Sequence, residues 1–210
     1  MKNKMKNKIE VRTYTPFCVP IIATHLTDKF MIRVLQKYAK RIRKTKGRKI
    51  SNIGGFQSDF LSHEENPLFN FFNHIDVILK SFVTAHGLKD DCAITPDGVW
   101  MNINKQNDFN RQHSHDGGAS ACDFCGIYYI QANDKQGSVQ FINPNNYTRV
   151  VPMLNKNTKV QSNHFNEHTF NITPRTGRLI LFPNNVEHMV FPNPTKKDRI
   201  SLAFNLKVSW

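Results

Sequence analysis

Two histidines stand one residue apart in the stretch RQHSHDGGASACDFCGIYYI, residues 111–130. On a strand, alternate side chains share a face, so His113 and His115 project the same way. A third histidine, His188, ends the apolar stretch GRLILFPNNVEH, and Arg199 opens RISLAFNLKV. Three imidazoles with open positions suit a late first-row metal such as iron, copper or zinc. An arginine inside a cavity grips a carboxylate with two parallel hydrogen bonds. Metal plus arginine is what an organic acid needs if it chelates the metal at one end and is anchored at the other. Asp116, directly after His115, is the alternative second ligand. Strand alternation favours His115.

Positioning these groups calls for strands. Beyond Gly87, short apolar runs recur between Gly, Pro, Asn and Asp turns: VWMNIN, CGIYYIQA, SVQFINP, HTFNIT, RLILFP, MVFP and ISLAFNLKV. That rhythm predicts an all-β sandwich or barrel over 88–210. In RISLAFNLKV, Ile200, Leu202, Phe204 and Leu206 fall on one face, and Arg199, Ser201, Ala203 and Asn205 on the other. In VWMNIN, Trp100, Asn102 and Asn104 oppose Val99, Met101 and Ile103. If helices cover the apolar face, the polar face can line a ligand cavity. On a meander, His188 and Arg199 are expected on adjacent strands with both side chains in one cavity.

Residues 1–87 form the helical N-terminal portion of this single domain, 1–210. The spacing predicts a helix over 28–46 with Thr27 or Asp28 as N-cap. A second amphipathic helix is predicted over 66–86, with Leu68, Phe71, Phe72, Ile75, Ile78, Leu79 and Phe82 as its apolar stripe and Gly87 as its end. Residues 1–27 read as a strand-and-loop lead-in, with Pro16 and Pro20 opposing helix.

Sixteen Phe, five Tyr and two Trp in 210 residues argue for a packed interior and exclude a disordered chain. No apolar run reaches membrane-spanning length, and the basic start MKNKMKNKIE lacks the apolar core of a secretory signal. The expected compartment is the cytoplasm. Four cysteines do not make a disulfide framework in a chain this long. Cys122 and Cys125 form a C-x-x-C, read first as two small buried residues, with a zinc or redox role open. The net charge of +13 suits an anionic partner. Much of it lies in 29–50, where a solvated helix face is the plainer explanation.

The order of these features resembles the iron(II)/2-oxoglutarate-dependent dioxygenases, which fold as a double-stranded β-helix. Their motif is H-x-D/E, a distant His, then Arg or Lys about ten residues on, often as R-x-S. Here His113-Ser114-His115, His188, Arg199 and Ser201 occupy those places. More narrowly, the chain is similar to uncharacterised bacterial and phage proteins of that superfamily, through SNIGGFQS, WMNIN, CGIYYI, FINP, GRLILFPNNVEHMV and RISLAFN, over roughly 50–206. The departure is at 115, where the family has a carboxylate and this chain has His.

The resemblance implies a jelly-roll, cupin-like barrel with helices packed outside. It implies Fe(II), O2 and 2-oxoglutarate as co-substrate, with Arg199 on the C5 carboxylate, Ser201 assisting, and Tyr129 and Asn102 adding hydrogen bonds. The reaction implied is hydroxylation of a C–H bond, with succinate and CO2 released. The second substrate is not readable; a basic surface suits a nucleotide, nucleic acid or acidic protein. Two other readings stand beside this one. A cupin-type metal barrel without 2-oxoglutarate fits most of G-x5-P-x-G-x2-H, but Arg199-x-Ser201 speaks against it. A nucleic-acid-binding or virion-associated protein without catalysis would rely on the basic helix and need neither His113 nor His188. The remaining histidines (25, 63, 74, 86, 164 and 168) are read as ordinary ones.

Overall fold

The computed structural model describes residues 18–89, 91–117, 122–145 and 167–210. The basic start of the chain, Pro16 and His164 lie outside them.

Two helices precede the main strands. Helix α1 (Lys29–Ile42) opens on Asp28, whose carboxylate accepts from the Phe30 and Met31 N–H groups at 2.8 and 3.1 Å. This satisfies two of the donors a helix start leaves free. The helix stops short of the predicted 28–46, because Arg43-Lys44-Thr45-Lys46 offers no apolar side chain to bury. Helix α2 (Leu68–Ala85) follows its predicted stripe: Leu68, Phe71, Phe72, Ile75, Leu79 and Phe82 are buried. Gly87 then takes φ 81°, where a side chain would be strained. Among the described residues no helix is long and apolar enough to cross a membrane.

Among the described residues, twelve strands form two antiparallel sheets. They are β1 (Ile22–His25), β2 (Gly47–Arg48), β3 (Asn52–Ile53), β4 (Phe56–Ser58), β5 (Ala93–Asn104) and β6 (Phe109–His113). Then come β7 (Phe124–Gln131), β8 (Val139–Ile142), β9 (Thr169–Ile172), β10 (Arg178–Pro183), β11 (His188–Val190) and β12 (Arg199–Ser209). The larger sheet runs β1-β10-β7-β12-β5-β4-β2, and the smaller β3-β6-β11-β8-β9. The N-terminal portion is therefore not purely helical: β1, β2 and β4 extend the larger sheet and β3 the smaller. They pair backbone that β10, β5 and β6 would otherwise leave unbonded.

Side-chain alternation separates two cores. On the outer face of the larger sheet, Val99, Met101 and Ile103 of β5, Tyr128 and Ile130 of β7, and Leu202, Phe204 and Leu206 of β12 pack with both helices. Phe71 meets Tyr128 at 4.9 Å between ring centroids, and Phe72 meets Phe204 at 5.2 Å. Each such side chain contributes about 1.5–3 kcal/mol by leaving water. Between the sheets, Ile127, Ile180 and Phe182 pack against Val139, Phe141 and Ile172. Two antiparallel sheets closed over an inner core, with helices on one outer face, make a double-stranded β-helix of the jelly-roll type.

Candidate functional site

The polar halves of the alternating strands meet at one cavity. Its lining includes Trp100, Asn102 and Asn104 from β5, Tyr129 from β7, and Arg199, Ser201 and Ala203 from β12. His113 and His188 line the opposing side and His115 its rim. Register makes these juxtapositions obligatory. Arg199 sits opposite Asn104 and Ser201 opposite Asn102 on one flank, while Ser201 faces Tyr129 on the other. On the smaller sheet His113 and His188 are direct cross-strand partners.

The ring centroids of His113 and His188 are 4.4 Å apart, and His115 lies 5.2 and 5.4 Å from them. One ring nitrogen from each of the three lies within 4.8 Å of the others. In each ring Nδ1 is already engaged. His113 Nδ1 is 2.7 Å from the Arg111 carbonyl, His188 Nδ1 is 3.1 Å from the Val186 carbonyl, and His115 Nδ1 is 2.8 Å from Asn205 Oδ1. Such contacts leave the Nε2 lone pairs for a ligand and lock each ring's orientation. Burial, helped by the charge of His113, draws the His188 pKa down to about 3. Burial lowers His113 as well. Both therefore stay neutral, the form that binds a metal.

Arg199 is 1% exposed. Its Nη1 donates to the carbonyls of Gln136, Gly137 (2.7 Å) and Phe191 (3.1 Å). The cradle depends on Gly137, at φ 76°: a Cβ there would lie 2.4 Å from two carbonyl oxygens and 2.9 Å from Nη1. No acidic side chain is among the residues lining the cavity, and Asp108, outside it, is the carboxylate whose charge reaches the guanidinium. Burial lowers the Arg199 pKa, yet a guanidinium keeps its proton in proteins. Tyr129, pushed up to about 12 by burial, keeps its phenolic proton and can donate it.

Six buried side-chain polar atoms lack a partner among the described residues, and four of them belong to this cavity: His115 Nε2, Arg199 Nη2, Tyr129 OH and Asn102 Oδ1. Each such atom costs about 1–3 kcal/mol. Four converging on one space mark a place a ligand fills. Three imidazole nitrogens fit a divalent metal, and the Arg199, Tyr129 and Asn102 groups fit a small carboxylic acid. The residues present thus fit both groups.

Of the residues singled out in the sequence, His113, His115, His188, Arg199, Ser201, Tyr129 and Asn102 line this cavity. Asp116 does not: it is exposed, and its carboxylate accepts from the Ser114 hydroxyl at 2.5 Å. His188 and Arg199 are not on adjacent strands as expected, since β11 belongs to the smaller sheet and β12 to the larger. Sequence reading set Asn104 and Asn205 on the polar strand faces without giving them a role, and passed over Asn110 and Gly137. For Asn205 and Asn104 the signal was present, because each shares a strand face with a residue already singled out.

Trp100 stacks on His115 at 5.8 Å with 21° between planes, and Phe60 meets the Trp100 edge at 6.2 Å. Cys122 and Cys125, each 1% exposed, have sulfurs 3.6 Å apart. The Cys125 thiol hydrogen-bonded to Cys122 draws Cys122 down, and Cys125 itself is held well above the usual thiol range.

A family model described as "Putative 2OG-Fe(II) oxygenase" matches residues 98–205, from β5 to the end of the cavity-lining part of β12. The chain belongs to this family of 2OG-Fe(II) oxygenases. The oxygenase is similar in structure to a Pseudomonas putida prolyl-4-hydroxylase, with TM-score 0.61 and 12% identity over 90% of this chain and 93% of that one. A viral collagen prolyl hydroxylase from Paramecium Bursaria Chlorella virus-1, in a 2OG complex, gives TM-score 0.55 and 15% identity over 90% and 96%. HygX from Streptomyces hygroscopicus, with nickel, 2-oxoglutarate and hygromycin B bound, gives TM-score 0.58 and 10% identity over 90% and 83%. At these identities the likeness is one of fold. No curated protein matches the oxygenase.

Proposed function

We propose that the oxygenase is one domain whose His113, His115 and His188 hold Fe(II) and whose Arg199 anchors 2-oxoglutarate. The observation that carries this is the meeting, in one cavity, of three rings with engaged Nδ1 atoms and a buried guanidinium with an unpartnered Nη2. When bound there, Fe(II) and 2-oxoglutarate supply the O2 chemistry: the co-substrate is decarboxylated to succinate and one oxygen atom enters a substrate C–H bond.

The protein's own residues do the rest. Arg199 grips the C5 carboxylate, with Nη1 pinned by three carbonyls so that Nη2 is aimed before the acid arrives. Tyr129 donates its hydroxyl to the same carboxylate, and Ser201 adds a second hydroxyl. Asn102, whose amide can present either end, binds the co-substrate beside it. Trp100 covers one face of His115 and keeps water from it. His115 in place of the family's carboxylate removes one negative charge from the metal's surroundings; Asp116, exposed and held by Ser114, would have to swing into the cavity to replace it as ligand.

We read the second substrate as anionic: a nucleotide, a nucleic acid or an acidic protein. Supporting this, Arg48 lies 5.1 Å over the Phe60 ring, which leads through Trp100 to the cavity. Lys40, Lys44, Lys46 and Lys49 are exposed nearby in sequence. We place the enzyme in the cytoplasm, a host's if phage-encoded, where free thiols and 2-oxoglutarate persist together.

The test is anaerobic titration of the metal-free protein with Fe(II) and 2-oxoglutarate, watched through the visible charge-transfer band of the chelate. The band is expected in the wild type, lost in His188→Ala and weakened in Arg199→Ala. Metal binding without a band would point instead to a cupin-like site. For the anionic substrate, replacing the Lys and Arg of 40–49 should slow turnover; unchanged kinetics would sink that part.

A further inference from the structure

His115 has two ring nitrogens and two neighbourhoods. Its Nε2 is buried, without a partner among the described residues, and belongs to the histidine triad. Its Nδ1 lies 2.8 Å from Asn205 Oδ1, and that same oxygen is 3.8 Å from Cys125 Sγ. Cys125 Sγ is 3.6 Å from Cys122 Sγ, both residues being 1% exposed. One donor atom each from His115, Cys122 and Cys125 lies within 4.8 Å of the other two.

These thiols already stand near the separation a metal requires. Two zinc–sulfur bonds of about 2.3 Å at a tetrahedral angle hold their sulfurs roughly 3.8 Å apart. A disulfide would need closure to about 2.05 Å. Two thiolates and one imidazole, with a fourth position left for Asn205 Oδ1 or water, are a donor set for a thiophilic cation.

We propose that His115, Cys122 and Cys125 form a second metal site, for a soft cation of the Zn(II) class, and that filling it withdraws His115 from the histidine triad. The reason is the tautomer. A neutral imidazole has one lone pair. With Nδ1–H donated to Asn205, the lone pair is on Nε2 and serves the triad. A cation at the thiols takes the lone pair of Nδ1, so the hydrogen moves to Nε2 and that nitrogen no longer ligates. The two thiols release their protons to solvent as the cation binds. The two sites therefore compete through one ring. The competition rests on the iron reading of the triad; the thiolate site does not.

The experiment titrates the metal-free full-length protein with Co(II) and then Zn(II). It compares the wild type, Cys122→Ser/Cys125→Ser and His113→Ala/His188→Ala. The readouts are the sulfur-to-cobalt charge-transfer band and anaerobic Fe(II) affinity with and without one equivalent of Zn(II). The band is expected in the wild type and in the histidine double variant, and not in the cysteine variant. In the wild type, one equivalent of Zn(II) that quenches the cobalt band should weaken Fe(II) binding about tenfold or more. No band in the wild type overturns the site, whether or not the cysteine variant folds. If Zn(II) quenches the cobalt band in the wild type, showing that the thiol site is filled, and Fe(II) affinity stays unchanged, the exclusion is wrong. If Fe(II) does not bind at all, the iron reading fails, while the band still decides the second site.

Discussion

His188 and Arg199 are eleven residues apart in the chain and stand on different sheets, lining one cavity from opposite sides. The crossing between them is held by buried amides. Asn193 Nδ2 donates to the carbonyls of Asn104 at 3.1 Å and Lys197 at 2.7 Å, and Gln136 Nε2 donates to Lys197 at 2.6 Å. A ligand that touches both His188 and Arg199 must therefore span the cavity, which suits a dicarboxylic acid held at each end.

Arg199→Lys removes the planar fork but keeps the charge. Its affinity for 2-oxoglutarate should fall roughly a hundredfold, about 3 kcal/mol. Anaerobic titration measures it. Binding within threefold of the wild type would mean Arg199 is not the anchor.

The second ligand can be assigned by a pair of variants. His115→Ala should weaken Fe(II) binding by well over tenfold, whereas Asp116→Asn should leave it within about twofold. Asn205→Ala frees Nδ1 of His115 to turn and should cost about 10–100-fold, with Asn205→Asp restoring much of it. Equal losses in His115→Ala and Asp116→Asn would put both in the site.

Gly137→Ala forces a Cβ against the Phe191 and Pro192 carbonyl oxygens at a positive φ. The expected destabilisation is about 1–3 kcal/mol by urea unfolding, with weakened 2-oxoglutarate binding because the Arg199 cradle shifts. Wild-type stability in this variant would show that the cradle yields easily.

Acid should destabilise the metal-free protein. His188 is held at about 3 when folded, against about 6.5 when unfolded. Between those values the unfolded chain binds a proton that the folded one refuses, so stability is full above about 6.5 and declines below it by about 1.4 kcal/mol per pH unit. His113, also lowered, adds in the same direction. Urea unfolding at pH 7.5 and 5.5 should show the decline, and His188→Leu should flatten it. An unchanged slope in that variant would remove His188 as its source.

Side-chain period made much of this molecule legible from sequence. Ile200, Leu202 and Phe204 alternate with Arg199, Ser201 and Ala203, and one residue's slip would expose the first set, so the face is decided by burial. The same reasoning separates Tyr128, packed on Phe71, from Tyr129, whose hydroxyl faces the cavity. The three histidines were legible by type and order. What period does not carry is which strand lies beside which. The pairing of His113 with His188, the placing of Arg199 on the other sheet, and the shared oxygen of Asn205 between His115 and Cys125 come from long-range backbone pairing. Those contacts join residues distant in the chain, so they exist only once both sheets have closed over the inner core.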